Sequence, residues 1–515
     1  MDETESARIR VFLNDPSGRG DRLVAEDPPK ATETGPWGFR VEGKAPEPRA
    51  YAPDTPEFLH WQLASALERG KRLWARRLPG AGAAWIPGPV LPAVPVAGTD
   101  LNAFYDRKAL RFFRDVDAKT GAVVQSGESP DIATHEQGHA VLDTLRPDLW
   151  DAPHFEVAAF HEAFGDLAAI FVALAEPALA TEAIAATKAD PSRSNLVSRL
   201  AEELGAAVRD GYGPDGAMPG ALRDAVNAFR YEDPKTLPDS APARSLSAEA
   251  HSFCRVMTGA CWDALVAVFR STPGEDRAAA LALAAEKTTR LAVAAAETAP
   301  VGADFFGRVA RRVVREAAAL GDADLARALV VDLFRRRLLA SPEVPADLAP
   351  DEDPSVVEPP DGAPPSPALT RAIEARLPSA RGGELLFLAA RRAAPQPPDA
   401  RRVLRGRRRR DLFLHGAEYG PADGAAVEIS DAFALGFGAS GWLRASRVHP
   451  SGENDADDAR AFVRFLARGR RIVDAPDGPP DSVHLARDRK SHAVIREPDG
   501  VRRLRRVWIA GRELP

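Results

Sequence analysis

Apolar residues recur every three or four positions along much of the chain, which is the spacing of amphipathic helices. In the first such segment Leu59, Leu63 and Leu67 fall on one stripe behind a Thr-Pro pair that suits a helix start. We therefore predict one long helix there. From residue 131 to about 339 the spacing continues, with Ala and Leu on one face and Arg and Glu on the others, which predicts a mainly helical region.

Outside these helices the pattern is typical of short strands, turns and one linker. The run "RIRVFL" lies among Pro, Gly and Asp residues near the start, and the hairpin-like "HAVIREPDGVRRLRRVWIA" lies near the end. The segment 341–367 is so rich in Pro and acidic residues that we predict a semi-rigid linker with few contacts across it. The predicted organisation is a β-rich N-terminal subdomain with one long helix over 1–134, a mainly helical subdomain over 135–340, this linker, and a C-terminal α+β domain of unknown function over 368–515.

Composition narrows the classes of partner. The chain has 515 residues, too many for one ordinary core, and its 45% hydrophobic and 28% charged residues are typical of a globular protein. The formal net charge of -6 gives no overall attraction to nucleic acid or anionic lipid. The basic run over 401–411 lacks the interleaved aromatic residues that stack on bases, so we expect no nucleic-acid partner. Cys254 and Cys261 lie about 10 Å apart along one predicted helix, too far for a disulfide.

The chain shows no pattern of a secretory signal or a membrane span. Its start, "MDETESARIR", is charged where a signal peptide has an apolar run. No window approaches the roughly 18 uninterrupted apolar residues of a spanning helix. We expect a protein that does not bind a membrane and that is cytoplasmic or exported by a non-classical route.

The stretch "DIATHEQGHAVLD" contains the first candidate chemistry. His135 and His139 are four positions apart, so in a helix they lie on one face within reach of one metal ion. Glu136 can reach a water on that ion without being a ligand. Two partly exposed histidines on an amphipathic helix would give the same pattern, so the motif alone leaves both interpretations open.

A second helical segment, "AFHEAFGDLAAIF", supplies further candidate groups. A catalytic zinc needs a third protein ligand from a neighbouring element, and Glu162 can complete a His-His-Glu set. Asp166, four positions on, can accept the far ring N–H of His135 and so fix its tautomer. The alternative is a solvated helix face. Two pairs at helical spacing in neighbouring helices favour a metal site with the ligands His135, His139 and Glu162.

These two segments resemble those of the thermolysin-like zinc metallopeptidases. That family carries HExxH on one helix and the third ligand, a glutamate, in an "NEAxSD"-like segment on the next. Here the second segment is "HEAFGD", with His161 in place of the Asn and Gly165 in place of the Ser.

Three further segments resemble the family in its own order, over roughly residues 50 to 300. "NAFYD" is similar to an edge strand in which the side chain of Asn102 and the carbonyl group of Ala103 would hold the substrate main chain. "ALRDAVNAFRYEDP" resembles the segment of a substrate-binding arginine, which is Arg223 here. "AHSFCRVMTGACWDAL" resembles the segment of the histidine that stabilises the transition state, which is His251 here.

The resemblance implies a fold, a cofactor and an activity. The fold would be α+β, a thermolysin-like pair of a β-rich and a helical subdomain with a cleft between them, to which the C-terminal α+β domain is appended. The activity would be that of a zinc-dependent metalloendopeptidase with one Zn²⁺ per chain and a peptide or protein substrate. Zinc would lower the pKa of its bound water, and Glu136 would take the proton. Zinc, His251 and Arg223 would stabilise the oxyanion and the adjacent carbonyl group.

Some positions depart from the family pattern. The family supports its catalytic histidine with an Asp where this chain has Leu246, so Glu249 or Asp239 would have to substitute. The family's oxyanion-binding Tyr falls near Trp150, whose indole has only an N–H to donate, and His154 is the other candidate.

A second ion, the substrate preference and two alternative functions also have to be considered. Asp131 keeps one position that the family uses for Ca²⁺, but no acidic cluster follows it, so we do not expect calcium. Ile132 and Leu222 match positions that line the pocket beyond the scissile bond and suggest an apolar preference. The alternatives are a non-catalytic binding or interaction protein with the same fold, and a zinc amidase that acts on a non-protein amide.

Overall fold

The computed structural model describes residues 8–18, 23–79, 81–82, 84–341, 349–357, 366–377, 385–388, 402–437, 441–478 and 480–510. Within these residues the protein is α+β. Its helices are α1 (Pro56–Arg77), α2 (Pro130–Leu145), α3 (Phe155–Leu174), α4 (Pro177–Thr187), α5 (Glu202–Tyr212), α6 (Ala250–Ser271), α7 (Arg277–Thr298), α8 (Phe305–Ala319), α9 (Ala323–Arg335), α10 (Pro367–Arg376), α11 (Glu453–Arg468) and α12 (Ser482–Arg487).

The strands lie before α2 and after α9, apart from one short pair between α4 and α6. They are β1 (Ile9–Phe12), β2 (Leu23–Glu26), β3 (Phe39–Val41), β4 (Leu91–Val94), β5 (Ala103–Tyr105), β6 (Leu110–Phe112), β7 (Arg114–Val116), β8 (Val123–Gln125), β9 (Arg199–Leu200), β10 (Arg223–Asp224), β11 (Ala349–Val357), β12 (Leu385–Leu388), β13 (Arg402–Phe413), β14 (Ala426–Phe437), β15 (Trp442–His449), β16 (Ile472–Asp474), β17 (His492–Arg496), β18 (Arg502–Arg506) and β19 (Ile509–Ala510).

The first predicted helix is confirmed as α1. The side chain of Thr55 accepts a hydrogen bond from the backbone N–H of Phe58 at 3.2 Å, and proline occupies the first helical position. Leu59, Leu63 and Leu67 are buried, as their spacing predicts. Helix α1 therefore forms one wall of the core against which α2 packs.

Helices α2 and α3 approach each other closely because glycines lie at their contact. A Cβ atom on Gly138 would lie 2.6 Å from the Cβ atom of Ala168, and a Cβ atom on Gly165 would lie 2.6 Å from Cε1 of His135. Both distances are too short for real side chains. The lack of a side chain at Gly165 therefore leaves room for the imidazole ring of His135.

Two main sheets frame these helices. The N-terminal sheet has the strand order β19-β5-β6-β4-β3, and the C-terminal sheet has the order β11-β15-β14-β18-β17-β16, with β12 and β13 pairing beside β14. The predicted C-terminal hairpin is β17 and β18, which pair antiparallel around a turn where Gly500 has a φ of +83°. Strand β19 belongs to the C-terminal region but pairs with β5 of the N-terminal sheet.

Part of the predicted linker is a strand. Residues 349–357 form β11, which pairs antiparallel with β15 at one end of the C-terminal sheet. An end strand tolerates proline because one of its edges makes no ladder bonds, which explains how a proline-rich segment joins a sheet. Residues 342–348 and 358–365 of the predicted linker lie outside the described residues.

The prediction of few contacts across this segment is wrong. Phe155 of α3 packs edge-on against Phe462 of α11, with ring centroids 5.3 Å apart. Ala158 and Ala248 belong to the same buried cluster as the C-terminal residues. Ile509 joins the main core of the N-terminal part. The C-terminal region is thus packed onto the rest of the protein by apolar surface, which the segment's composition did not reveal.

Two helices, Phe155–Leu174 and Ala250–Ser271, are long and apolar enough to cross a membrane, and most of each is buried inside the protein. Their apolar character fits their place in the core. Cys254 and Cys261 of α6 are free and buried, as predicted.

Truncation tests how far the C-terminal region supports the core. A chain that ends at Ser341 loses the strand paired with β5 and exposes Phe155 and Ala158 to solvent. We expect this chain to aggregate, or to unfold at a lower urea concentration than the full chain, as followed by circular dichroism. A soluble truncated protein with an unchanged midpoint would contradict the packing described here.

The buried carboxyl group of Asp15 should make stability depend on pH. It accepts hydrogen bonds from the backbone N–H of Glu203 at 2.8 Å and from Oγ of Ser129 at 2.9 Å. Burial, with a contribution from the charge of Glu203, raises its pKa to about 7. A carboxyl whose pKa is raised by folding stabilises the fold at low pH and loses that contribution as pH rises through its folded pKa.

Asp15→Asn keeps an acceptor for Glu203 and removes this titration. Between pH 5 and pH 8 the wild type should lose on the order of 2 kcal/mol of unfolding free energy relative to the variant. Urea unfolding of both proteins at the two pH values measures this difference. A difference that is the same at both pH values would show that Asp15 does not titrate in this range.

Candidate metal centre

Helix α2 carries the first candidate ligands. Ser129 caps it by accepting a hydrogen bond from the backbone N–H of Ile132. His135 is 4% exposed and His139 is fully buried, so the interpretation as partly exposed histidines is wrong. Their ring centroids lie 4.6 Å apart at an interplanar angle of 87°. Ligand atoms of His135, Glu136 and His139 lie within 4.8 Å of one another, and this group could hold a metal ion.

Helix α3 brings Glu162 to the two histidines. Its carboxylate oxygens lie 3.4 Å from Nε2 of His135 and 3.7 Å from Nε2 of His139. Among the described residues, Nε2 of His135 and both ring nitrogens of His139 have no hydrogen-bond partner although they are buried. Buried polar atoms without partners cost free energy, and a cation between these groups would satisfy the two Nε2 atoms. The residues present therefore fit a metal with His-His-Glu ligation.

Asp166 orients His135 from the other side of its ring. Nδ1 of His135 lies 3.2 Å from Oδ1 of Asp166, so the carboxylate fixes which ring nitrogen carries the proton, as the spacing predicts. The same carboxylate accepts a 2.6 Å hydrogen bond from Arg223 and a 3.1 Å bond from Oγ1 of Thr258. Arg223, predicted as a substrate-binding residue, is thus brought to the site and is ion-paired with Asp166 there.

His251 completes the ring of imidazoles around Glu162. Its Nε2 lies 3.1 Å from Oε2 of Glu162, and its Nδ1 lies 2.6 Å from Oε1 of Glu249. Glu249 also caps α6 by accepting hydrogen bonds from the backbone N–H groups at its start. Of the two residues considered as partners for His251, Glu249 is the one in contact, whereas Asp239 pairs with Arg468 at 2.6 Å.

These contacts set the charges of the site. Burial alone would lower the pKa of His135, but its contacts with Asp166 and Glu162 raise it to about 9. Burial lowers the pKa of His139 to about 3, so this imidazole is neutral, the form that binds metals. Burial would raise the pKa of Glu162, but His251 holds it well below its usual value. The site thus holds an ionised carboxylate, a neutral imidazole at His139 and a proton on His135 that a bound cation would displace.

A small pocket lies beside His135. Its lining includes Ala103, Ile132, Leu222 and Arg223, so the two residues expected to line an apolar pocket do so together. The lining is mainly aliphatic, which suits an apolar side chain.

The edge of β5 that was expected to bind the substrate main chain is partly covered by another strand. β19 pairs antiparallel with β5, with Ile509 opposite Tyr105 and Ala510 opposite Phe104. Asn102, at the end of this strand, accepts a 2.9 Å hydrogen bond from the backbone N–H of Ala103 through its Oδ1. The sequence did not indicate that another part of the same chain occupies this edge.

Trp150 and His154, the two residues considered as oxyanion donors, both make their hydrogen bonds away from the candidate metal ligands. Trp150 donates its indole N–H to the carbonyl group of Arg506 at 3.1 Å, and Nδ1 of His154 lies 2.9 Å from Oδ2 of Asp458. Both are therefore engaged with the C-terminal region. Asp131 accepts a 3.2 Å hydrogen bond from the backbone N–H of Ala201, which gives it a structural role.

Two residues near the site have no role in the sequence prediction. His161 is fully buried, and its ring centroid lies 6.0 Å from that of His139. Arg506 donates from Nε to the carbonyl group of Trp150 at 2.9 Å. Burial lowers the pKa of Arg506 to about 10, while the negative charge of Glu162 opposes this shift. The only sequence signal that could have indicated His161 as a site residue is its position next to Glu162 and near the HExxH motif. No local sequence signal indicates Arg506 as a site residue.

No known protein-family model matches this chain, and no curated protein matches its sequence.

Proposed function

We propose that this chain is a zinc-dependent peptidase of the thermolysin-like type that hydrolyses peptide bonds. The observation that carries the proposal is the position of the Glu162 carboxylate, within 3.4 Å and 3.7 Å of the Nε2 atoms of His135 and His139. The three side chains that sequence spacing indicated as ligands thus lie close together in the protein interior. Small rotations of these side chains would let all three groups bind one ion at the roughly 2.0–2.2 Å typical of zinc ligands.

The surrounding architecture supports the same proposal. The helix with the two histidines contacts β5 of the N-terminal sheet and helix α3, and α3 in turn packs against α6. The aliphatic pocket beside His135 is lined from both sides, by Ala103 of β5 and by Leu222. This arrangement is consistent with a β-rich part and a helical part that enclose a cleft.

The chemistry assigns a task to each side chain. Zinc, when bound, supplies a Lewis acid that lowers the pKa of water and polarises a carbonyl group. Glu136 is buried beside the ligands and would take the proton from the attacking water and pass it to the leaving amine. Burial would lower the pKa of His251, but Glu162 and Glu249 raise it to about 10. The imidazolium of His251 would therefore donate to the developing oxyanion. Glu249 holds that ring in place.

One observation favours a second function. Because β19 pairs with β5 at Phe104 and Tyr105, the strand edge that would hold an extended substrate is partly covered. A protein that keeps the fold and binds peptides without cleaving them would tolerate such a cover. The experiments below distinguish the two.

The metal proposal predicts about one zinc ion per chain. His139→Ala and Glu162→Ala each remove a ligand, so elemental analysis after dialysis should find less than a tenth of the wild-type zinc. His415→Ala, at an exposed histidine outside the site, is the control and should keep its zinc. Wild-type protein that holds no stoichiometric zinc and takes up none when it is added would remove the basis of the proposal.

The catalytic proposal predicts separable effects of Glu136 and His251. Glu136→Gln should keep zinc and lose cleavage of a mixed peptide library, because it removes the base and not a ligand. His251→Ala should keep zinc and lose kcat by on the order of 10²- to 10³-fold, with a smaller change in KM, because the donor acts on the oxyanion.

His415→Ala again serves as the control and should cleave like wild type. If both Glu136→Gln and His251→Ala cleave as well as wild type, the activity belongs to another site. If the wild type holds zinc and binds peptides but cleaves none of the library, the binding function replaces the peptidase.

A further inference from the structure

A cavity of about 770 Å³ lies beside Asn102, between the N-terminal part and the C-terminal region. Its lining includes Arg471, Arg487, Arg489 and Trp508, and we call it the arginine cavity. Asp100 is the one carboxylate among its lining residues, so the lining carries an excess of positive charge. Such a concave cationic surface attracts an anionic group.

The arginine cavity adjoins the candidate metal centre through one residue. Arg471 also lines a second cavity, of about 770 Å³, whose walls include Arg223, Glu249 and His251. Asn102 is the residue whose side chain is expected to hold the substrate main chain. A peptide that runs from His251 past Asn102 would therefore bring its next groups to Arg471 and its neighbours.

Two of these arginines lie at the C-terminal ends of helices. Helix α11 is followed by Arg470 at a φ of 55°, directly before Arg471, and helix α12 is followed by Arg489 at a φ of 59°. This left-handed conformation is a common way for an α-helix to end. Arg489 is held there by hydrogen bonds at the helix end, from its N–H to Ala486 and from that of Lys490 to Leu485. Two helix ends thus direct arginines to the same cavity.

The charges within the cavity oppose one another. Burial lowers the pKa of Arg471, and the positive charge of Arg489 lowers it further, although Glu249 opposes this. Arg487 is exposed and forms no ion pair with any carboxylate in the described part of the chain. Favourable interactions at helix C-termini account for one arginine at each helix end. Three arginines thus line one cavity, and a bound anion would form charge-assisted hydrogen bonds with them.

We propose that the arginine cavity, which Asn102 lines, binds a carboxylate of the peptide substrate. The inference rests on the proposed peptidase function and adds to it the class of substrate. The carboxylate would belong either to an acidic side chain that follows the cleaved bond or to the free C-terminus of a short peptide. Arginine guanidinium groups bind carboxylates in both settings through charge-assisted hydrogen bonds.

Four versions of one quenched fluorescent peptide distinguish these sources. Each has an apolar residue directly after the cleaved bond, then Glu or Gln, and ends in either a carboxylate or an amide. The full-length wild type is compared with the double variant Arg487→Gln, Arg489→Gln. Arg496→Gln removes an exposed positive charge outside the cavity and is the matched control.

We expect the wild type to cleave one carboxylate-bearing peptide at least about tenfold better in kcat/KM than its uncharged counterpart, and this preference should weaken with salt. The preferred version identifies the source as the side chain or the C-terminus. The double variant should bring the ratio close to one, and Arg496→Gln should keep it. An absent preference in the wild type, or one that the double variant retains, would overturn the proposal and leave the peptidase function in place.

A binding measurement separates failure of this proposal from failure of the peptidase function. Fluorescence anisotropy with the full-length Glu136→Gln chain compares the carboxylate and uncharged peptides, with and without the two arginine substitutions. If no peptide is cleaved but binding favours the carboxylate through Arg487 and Arg489, the cavity proposal is supported and the peptidase function fails. Equal binding of all four peptides contradicts the cavity proposal.

Discussion

The close contact between α2 and α3 is the constraint on which the candidate site depends. Gly138 and Gly165 let the two backbones approach until the ring of His135 lies against Gly165. At that separation the carboxylate of Glu162 comes within 3.7 Å of both histidines. A side chain at either glycine would push the helices apart and separate the three groups. Close packing thus provides the geometry that a metal site requires.

Burial makes this arrangement costly unless each charge has a partner. Asp166 is the clearest case, because its carboxylate contacts both the imidazole of His135 and the guanidinium group of Arg223. These partners, with burial opposing them, lower the pKa of Asp166 to about 2. Removal of one partner would leave a buried charge uncompensated. The candidate ligand His135 and the expected substrate-binding arginine are therefore coupled through one carboxylate.

The C-terminal region takes part in the site through three separate contacts. β19 extends the sheet that contains β5, Arg506 binds the carbonyl group of Trp150, and Arg471 lies between the two cavities near Asn102 and His251. Phe155 and Phe462 hold the two parts together through apolar contact. The shape and charge of these two cavities therefore depend on the C-terminal region as well as on the helical region.

The sequence by itself determined α1, the His135–His139 pair, the approach of Glu162 and Asp166, and the β17–β18 hairpin. Helical periodicity and turn residues act over a few positions, so local spacing places such groups on one face. The sequence also limited the partner of His251 to two acidic residues. Only the tertiary structure showed that Glu249 is the partner of His251. It also placed Trp150 and His154 against the C-terminal region. It brought Arg506 and Arg471 to a site that lies more than 200 residues earlier in the chain. Such contacts depend on which apolar surfaces pack together and which strand edges pair, and neither leaves a periodic signal in the sequence.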